Sequence, residues 1–200
     1  MLIVKNNNAV ILLIADGADG IPFKNTSPSL RMIMEMTDWL KTNNQYNESF
    51  LLRAAAKIRE IDLDMINNKG GRTSFIMLLI DKGFVSGISC GDSRAYIFEP
   101  NEARELTINQ DEYLVGELCV PKIIKKELIK YPIIVGSKGF FDPLEIVNKT
   151  SLIDVPNIDY ISYEVSVCTD HESLLSELYE TATKNGQIDD ISAVYIIPGI

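Results

Sequence analysis

The chain has 200 residues, a formal net charge of −9 and an apolar fraction of 46%. That length predicts one domain, or at most two very small ones, able to bury roughly 70% of the unfolded surface without disulfide staples; the ordinary share of charged residues, 24%, argues against disorder, and the absence of Gly, Pro and heptad signals against a fibrous chain. The acidic balance, 28 Asp+Glu against 19 Lys+Arg, argues against a phosphate-backbone binder and so against a nucleic-acid partner.

Met1 to Asn8 carries one Lys and three consecutive Asn, with no apolar core or cleavage site of a secretory leader. Val10 to Ala15 (VILLIA) is a continuous apolar run of strand length and reads as a strand buried on both faces. It enters the acidic turn Asp16-Gly17-Ala18-Asp19-Gly20. Ser27 or Ser29 caps a helix over Leu30 to Leu40, with Leu30, Ile33, Met34 and Thr37 on one stripe. A second helix runs from Phe50 to Ile66, with Leu51, Leu52, Ala55, Ile58, Ile61 and Met65 at helical spacing, and Asn67 to Gly71 stops it. The period then changes to two. Thr73 to Ile80 and Phe84 to Cys90 read as strands joined by the hairpin turn Asp81-Lys82-Gly83. Gly91-Asp92-Ser93-Arg94 leads into a strand over Ala95 to Glu99, and Glu105 to Asn109 reads as another short one. Lys122 to Lys130 (KIIKKELIK) is a solvated amphipathic segment or a docking patch for an acidic partner. Pro132 to Val135 is a strand entering Gly136-Ser137-Lys138-Gly139, and Pro143 to Val147 gives one helical turn. Ser173 to Lys184 is a helix with Leu174, Leu175, Leu178 and Thr181 on one face, and Ile191 to Ile197 is the last strand. Helices in pairs and strands in antiparallel pairs make the class α+β.

No apolar run reaches the roughly 18 residues of a membrane span, so no membrane partner is expected. The three cysteines, Cys90, Cys119 and Cys168, are odd in number and show no CxxC spacing, which fits free thiols in a reducing cytoplasm. His171 is the one histidine; it precedes a helix, where capping and solvent exposure suit it better than catalysis. Trp39 reads as core or partly buried.

Three sharp turns at strand ends carry Asp: Asp16-Gly17, Gly91-Asp92, and Asp189-Asp190 before the last strand. Carboxylates held at the edge of a core suit hard cations such as Mg²⁺ or Mn²⁺, and two such ions could activate a water and neutralise a phosphate. From spacing alone the plainer and commoner reading is that Asp-Gly pairs are turn formers.

Taken in order, four segments resemble the metal-dependent protein phosphatase family of type 2C, the PPM phosphatases. ILLIADGADG resembles the strand entering the family's Asp-Gly-x-Gly-Gly loop. GGRTSFIMLLIDKGFVSGISCGDSRAYIF resembles its Gly-x-Thr hairpin followed by Gly-Asp-Ser-Arg. YPIIVGSKGFFDPLE resembles the strand entering Ser-Asp-Gly-x-x-Asp, and NGQIDDISAVYII the closing Asp-Asn-x-Thr strand. The resemblance spans about Val10 to Ile197. It implies one domain over residues 1–200: a four-layer α-β-β-α sandwich of two antiparallel sheets flanked by helix pairs. It also implies a binuclear Mg²⁺ or Mn²⁺ centre whose bridging water attacks phosphoserine or phosphothreonine. Residue by residue, Asp16 matches the carboxylate that bridges both metals, Gly17 the carbonyl ligand, Asp189 the closing ligand, and Asp92 a position for a third, weaker ion. Ser93, Arg94 and Asp142 match structural positions.

The departures fall on the same site. Where Ser-Asp-Gly supplies a metal ligand, this chain has Lys138. At about 4 Å and an effective dielectric near 20, each unit charge pair is worth about 4 kcal/mol, so a lysine beside a dication is doubly repelled. The family's N-terminal Arg and Glu-Asp pair have no counterpart in Met1 to Asn8. Ala18 stands where eukaryotic members often have His, and Asp19 where Gly follows. Leu-Thr-x-Asp-His is Leu106-Thr107-Ile108-Asn109-Gln110, and the stretch from Arg94 to Ser137 is short, which implies a trimmed flap. The expectation is a pseudophosphatase: a binding or regulatory module for a protein or phosphoprotein, cytoplasmic, with Mg or Mn bound weakly or not at all. The alternative is an active phosphatase with an atypical metal site, in which Asp19 or Asp190 compensates. No catalytic residue is assigned.

Overall fold

The computed structural model describes residues 1–6, 9–18, 26–47, 49–100, 102–107, 113–145, 158–185 and 190–198. The chain divides into two compact units, one made of residues 1–93 and 107–128, the other of residues 94–106 and 129–200.

The first unit is a five-stranded sheet, order β1-β2-β3-β4-β7, with two helices. Its strands are β1 (Leu2–Asn6), β2 (Ala9–Ala18), β3 (Arg72–Asp81), β4 (Phe84–Cys90) and β7 (Lys122–Leu128), every neighbouring pair antiparallel. The β3–β4 hairpin closes through Lys82 and Gly83, both at positive φ (51° and 77°), the two-residue turn whose twist matches its strands. The helices are α1 (Pro28–Thr42) and α2 (Phe50–Asn67). Ser27 caps α1, its hydroxyl accepting from the Leu30 amide at 3.3 Å, with Pro28 in the first turn. Such a cap is worth about 1 kcal/mol. One sheet face places Ile11, Leu13, Phe75, Met77 and Ile88 in a core with Met32, Met36, Leu40, Phe50, Ile58 and Met65 of the helices.

The second unit is a four-stranded antiparallel sheet, order β6-β5-β8-β9. Here β5 is Arg94–Glu99, β6 Glu102–Glu105, β8 Ile133–Gly136 and β9 Ala193–Ile196. Its helices are α3 (Lys138–Glu145), α4 (Asp159–Val167) and α5 (His171–Lys184). Their buried Phe140, Phe141, Leu144, Ile161, Leu174 and Leu178 pack with Tyr96 and Ile134 of the sheet.

The class is therefore α+β, with two antiparallel sheets and five helices among the described residues. Several local expectations are corrected. The buried stripe of α1 is Pro28, Met32, Met36 and Leu40, while Leu30 and Met34 are exposed. The helix is apolar round most of its circumference, so two stripes compete, and flexible methionines fill the irregular space over the sheet. Likewise Leu52 of α2 is exposed and Asp62 takes a buried position. Residues 2–6 form β1, which the Asn-rich start disguised. The short strand is Glu102–Glu105 rather than Glu105 to Asn109, whose last two residues lie outside the described ones. Helix α3 is Lys138–Glu145, eight residues with Pro143 inside it, and not a single turn over Pro143 to Val147, whose last two residues lie outside the described ones. Helix α4 was not anticipated, and the segment Lys122 to Lys130 is largely strand β7 at a sheet edge.

Candidate functional site

In the first unit, strand register brings two acidic turns to one end of the sheet. Asp16 pairs with Ser74 and Gly17 with Thr73 across β2–β3, while Phe75 pairs with Cys90 across β3–β4. Asp16 and the Gly91-Asp92 turn therefore flank the start of β3. That start is tied to both. The Thr73 hydroxyl donates to the Asp16 carbonyl at 2.8 Å, and the buried Ser74 and Ser93 hydroxyls lie 2.5 Å apart. Gly91 has φ +79°, and a Cβ there would stand 3.0 Å from Ser74 Cβ, so only glycine turns the chain this tightly against β3. Asp16 and Asp92 are half-buried and Gly17 is exposed.

The turn at residues 113–120 covers the same sheet end. Val115 and Thr73 exchange backbone hydrogen bonds of 3.0 and 2.9 Å. The turn is held by Asp62 of α2, a fully buried carboxylate that accepts from the Gly116 amide at 2.7 Å, Leu118 at 3.2 Å and Cys119 at 3.4 Å. Arg59 lies 3.5 Å from the other Asp62 oxygen and also donates to the Cys119 carbonyl. Sequence reasoning missed Asp62. Its one signal was an acid on the buried stripe between Ile58, Ile61 and Met65.

In the second unit, β8 ends at Gly136 and the chain turns through Ser137 into α3. The Ser137 amide donates to Ser192 O at 2.8 Å, its hydroxyl donates to Asp190 O at 3.1 Å, and it accepts from the Ser192 amide at 3.1 Å. This lock fixes the start of α3 against the entry to β9. Lys138 is the first residue of α3 and is exposed, as is Asp190. Arg94, paired in register with Gly136, makes an ion pair of 2.8 Å with Asp142. These two residues tie β5 to α3.

Of the anticipated metal ligands, Asp16, Gly17 and Asp92 belong to the first unit and Asp190 to the second, while Asp19 and Asp189 lie outside the described residues. A hard dication takes about six oxygen ligands. Among the described residues no three His, Cys, Asp or Glu side chains converge as a metal-holding group. The donors described do not by themselves make a binuclear centre, and no chemical step is assigned to one. His171 is exposed, with Nδ1 3.2 Å from the Tyr195 hydroxyl and 3.7 Å from Cys168 Sγ, and Asp170 caps α5 through the Glu172 amide at 3.1 Å. No helix among the described residues is long and apolar enough to cross a membrane.

No protein-family model matches the chain, and no curated protein matches it. Solved structures do. The serine/threonine phosphatase Stp1 from Staphylococcus aureus is 15% identical, with a TM-score of 0.79 over 99% of this chain and 87% of that one. A bacterial serine phosphatase is 16% identical, with a TM-score of 0.76 over 98% of this chain and 90% of that one. RsbX, solved in complex with magnesium, is 14% identical, with a TM-score of 0.63 over 96% of this chain and 83% of that one. At such identities backbone likeness speaks for architecture alone, and it agrees with the strand order and helices described above: the chain has the fold of the PPM-type, type 2C serine/threonine phosphatases.

Proposed function

We propose that the chain is a PPM-type phosphatase-like domain working as a pseudophosphatase, a cytoplasmic binding or regulatory module for a protein or phosphoprotein with little or no phosphoester hydrolysis. The observation that carries this reading is Lys138. The resemblance calls for a metal-ligating carboxylate at that position, and the chain opens α3 there with an ammonium instead. Exchanging −1 for +1 is worse for a dication than losing a neutral ligand. Any Mg²⁺ or Mn²⁺ would be held weakly, by Asp16, the Gly17 carbonyl and Asp189, with Asp92 as a weaker site and Asp19 or Asp190 as substitutes. The reading takes residues 1–200 as one domain with a shortened flap. The free thiols of Cys90, Cys119 and Cys168 suit a reducing compartment.

The competing reading, an active Mg²⁺- or Mn²⁺-dependent serine/threonine phosphatase, draws support from the retention of Asp16, Gly17 and Asp92 at one sheet end. Hydrolysis of p-nitrophenyl phosphate with millimolar Mn²⁺ separates the two. The pseudophosphatase reading expects no manganese-dependent rate from the natural chain and no thermal stabilisation by the ion. A manganese-dependent rate that Asp16→Ala abolishes would overturn it.

A further inference from the structure

Three side chains of the second unit meet at one nitrogen. Cys168 follows α4, His171 opens α5 and Tyr195 lies on β9. The His171 Nδ1 stands 3.7 Å from Cys168 Sγ and 3.2 Å from the Tyr195 hydroxyl. The imidazole and phenol rings lie against each other, their centroids 5.6 Å apart. A ring nitrogen carries either one hydrogen or one lone pair, so Nδ1 serves one of these neighbours well and leaves the other poorly matched. A cation among the three would satisfy them all, taking a lone pair from each.

The distances suit such an ion. Around tetrahedral zinc, Zn–N is about 2.0–2.1 Å, Zn–S about 2.3 Å and Zn–O about 2.0–2.2 Å. Those lengths set N and S about 3.5 Å apart and N and O about 3.4 Å apart, each within ~0.2 Å of the separations seen here. The spacing Cys-x-x-His brings both donors to the turn before α5. The Asp170 amide in that turn donates to the Cys168 sulfur, a bond that favours the thiolate a metal requires.

A reactive thiol is the other use of a cysteine beside a histidine, and the electrostatics oppose it. Burial pushes the Cys168 thiol up; the Asp170 amide pulls it back, and the carboxylates of Asp170, Glu177 and Glu164 push it up again. The thiolate needed for nucleophilic attack is therefore scarce at neutral pH. The same carboxylates that retain the proton would attract a dication more strongly.

We propose that Cys168, His171 and Tyr195 bind a thiophilic divalent cation, Zn²⁺ by the donor set, which fastens β9 to the amino end of α5. Two donors are ordinary zinc ligands and the third is a phenol, with the fourth tetrahedral position left to water. On binding, the thiol releases its proton to solvent. Nδ1 and the phenol oxygen contribute lone pairs, and the exposed imidazole keeps its proton on Nε2. Strand β9 ends its sheet order and is partly exposed along all four residues. The Ser137 lock holds its entry, and an ion at Tyr195 would secure the rest. The inference holds whether or not the chain hydrolyses phosphoesters.

The test titrates the full chain, reduced and stripped of metal, with Zn²⁺ alone in the presence of excess Mg²⁺, a hard ion that gains little from sulfur and nitrogen. One zinc should bind per chain, raise the melting temperature and protect Cys168 from alkylation. Cobalt(II) in its place should give the near-ultraviolet thiolate-to-metal band of a cysteine ligand. Cys168→Ser should abolish that band and weaken zinc binding about a hundredfold or more, as should His171→Ala for the affinity. Tyr195→Phe, which keeps the ring and so its packing, should cost about tenfold. Absence of zinc binding at about 1 mM ion would overturn the proposal. So would a cobalt band that persists in Cys168→Ser, which would place the ion at Cys90 and Cys119. An affinity that neither His171→Ala nor Tyr195→Phe changes, the mark of a thiol binding alone, would overturn it as well.

Discussion

Replacing Asp62 isolates what one buried carboxylate contributes to this fold. Its Oδ1 accepts three backbone amides, from Gly116 at 2.7 Å, Leu118 at 3.2 Å and Cys119 at 3.4 Å, and no part of it reaches solvent. The shortest bond is charge-assisted and worth about 1.5–3 kcal/mol. The second adds about 1 kcal/mol, and the third, long and weak, adds little. Arg59, half-exposed and 3.5 Å away, is a minor partner. Asp62→Ala should therefore cost about 2.5–4 kcal/mol, chiefly by orphaning amides. Asp62→Asn keeps one carbonyl oxygen for the Gly116 amide and should cost roughly half as much. Urea unfolding measures both, and at about 2–4 °C per kcal/mol for a chain of this length the alanine variant should melt ~10 °C lower. Hydrogen exchange at the Gly116, Leu118 and Cys119 amides should rise before that of β3. The reasoning fails if Asp62→Ala lies within about 0.5 kcal/mol of the natural chain, or if alanine and asparagine are indistinguishable.

Burial alone would push the Glu117 carboxyl up, but the Arg72 guanidinium at 2.5 Å and the Leu114 amide outweigh it and hold it below its usual value. A depressed carboxyl contributes stability that is present above its unfolded value of about 4.3 and is lost as pH falls through the folded one. Arg72→Met should therefore flatten the acid limb of a stability–pH curve below about pH 5, and an unchanged limb would contradict this. Lys138 places a positive charge at the amino end of α3, where the helix dipole disfavours it. Lys138→Asp should raise unfolding stability in urea by about 0.3–1 kcal/mol, and a loss would refute the dipole argument. The hydrogen bond to Cys119 and burial push the Cys90 thiol well up, while Cys168 is only partly buried. A mild aromatic disulfide reagent should label Cys168 first and reach Cys90 and Cys119 only on unfolding, and native-state labelling of Cys90 at the rate of Cys168 would overturn that order.

Strands β2, β3 and β4 of the first sheet were readable because their signals are local. VILLIA and the pair around Asp81-Lys82-Gly83 each combine β-branched runs with turn chemistry, and β4 falls on Phe84–Cys90 as expected. The misses are the elements whose identity depends on a distant partner. Leu2–Asn6 is a strand because β2 lies beside it. Pro143 stands inside α3 because the Ser137 lock and the packing of Phe140, Phe141 and Leu144 secure that helix. On α1 the sequence carries two apolar stripes, and the surface beneath decided between them.

The site divides in the same way. Asp16 and Asp92 were visible as acids at the ends of apolar strands, but their shared sheet end follows from two registers, Asp16 with Ser74 and Phe75 with Cys90, that no local pattern encodes. Asp62 left still less trace, because its partners are backbone amides more than fifty residues later and amides have no side-chain signature. A buried acid on a helical stripe is nonetheless a physical demand, since an ionised carboxylate far from water must find donors. Arg59 reaches only the other oxygen, at 3.5 Å, so the donors to Oδ1 come from main chain, and main chain offers several amides to one oxygen only where it turns sharply. The positive φ values of Gly116 and Leu118 are that turn. The acid on α2 and the left-handed Leu118 are thus one arrangement, and any substitution that relaxes the first should release the second.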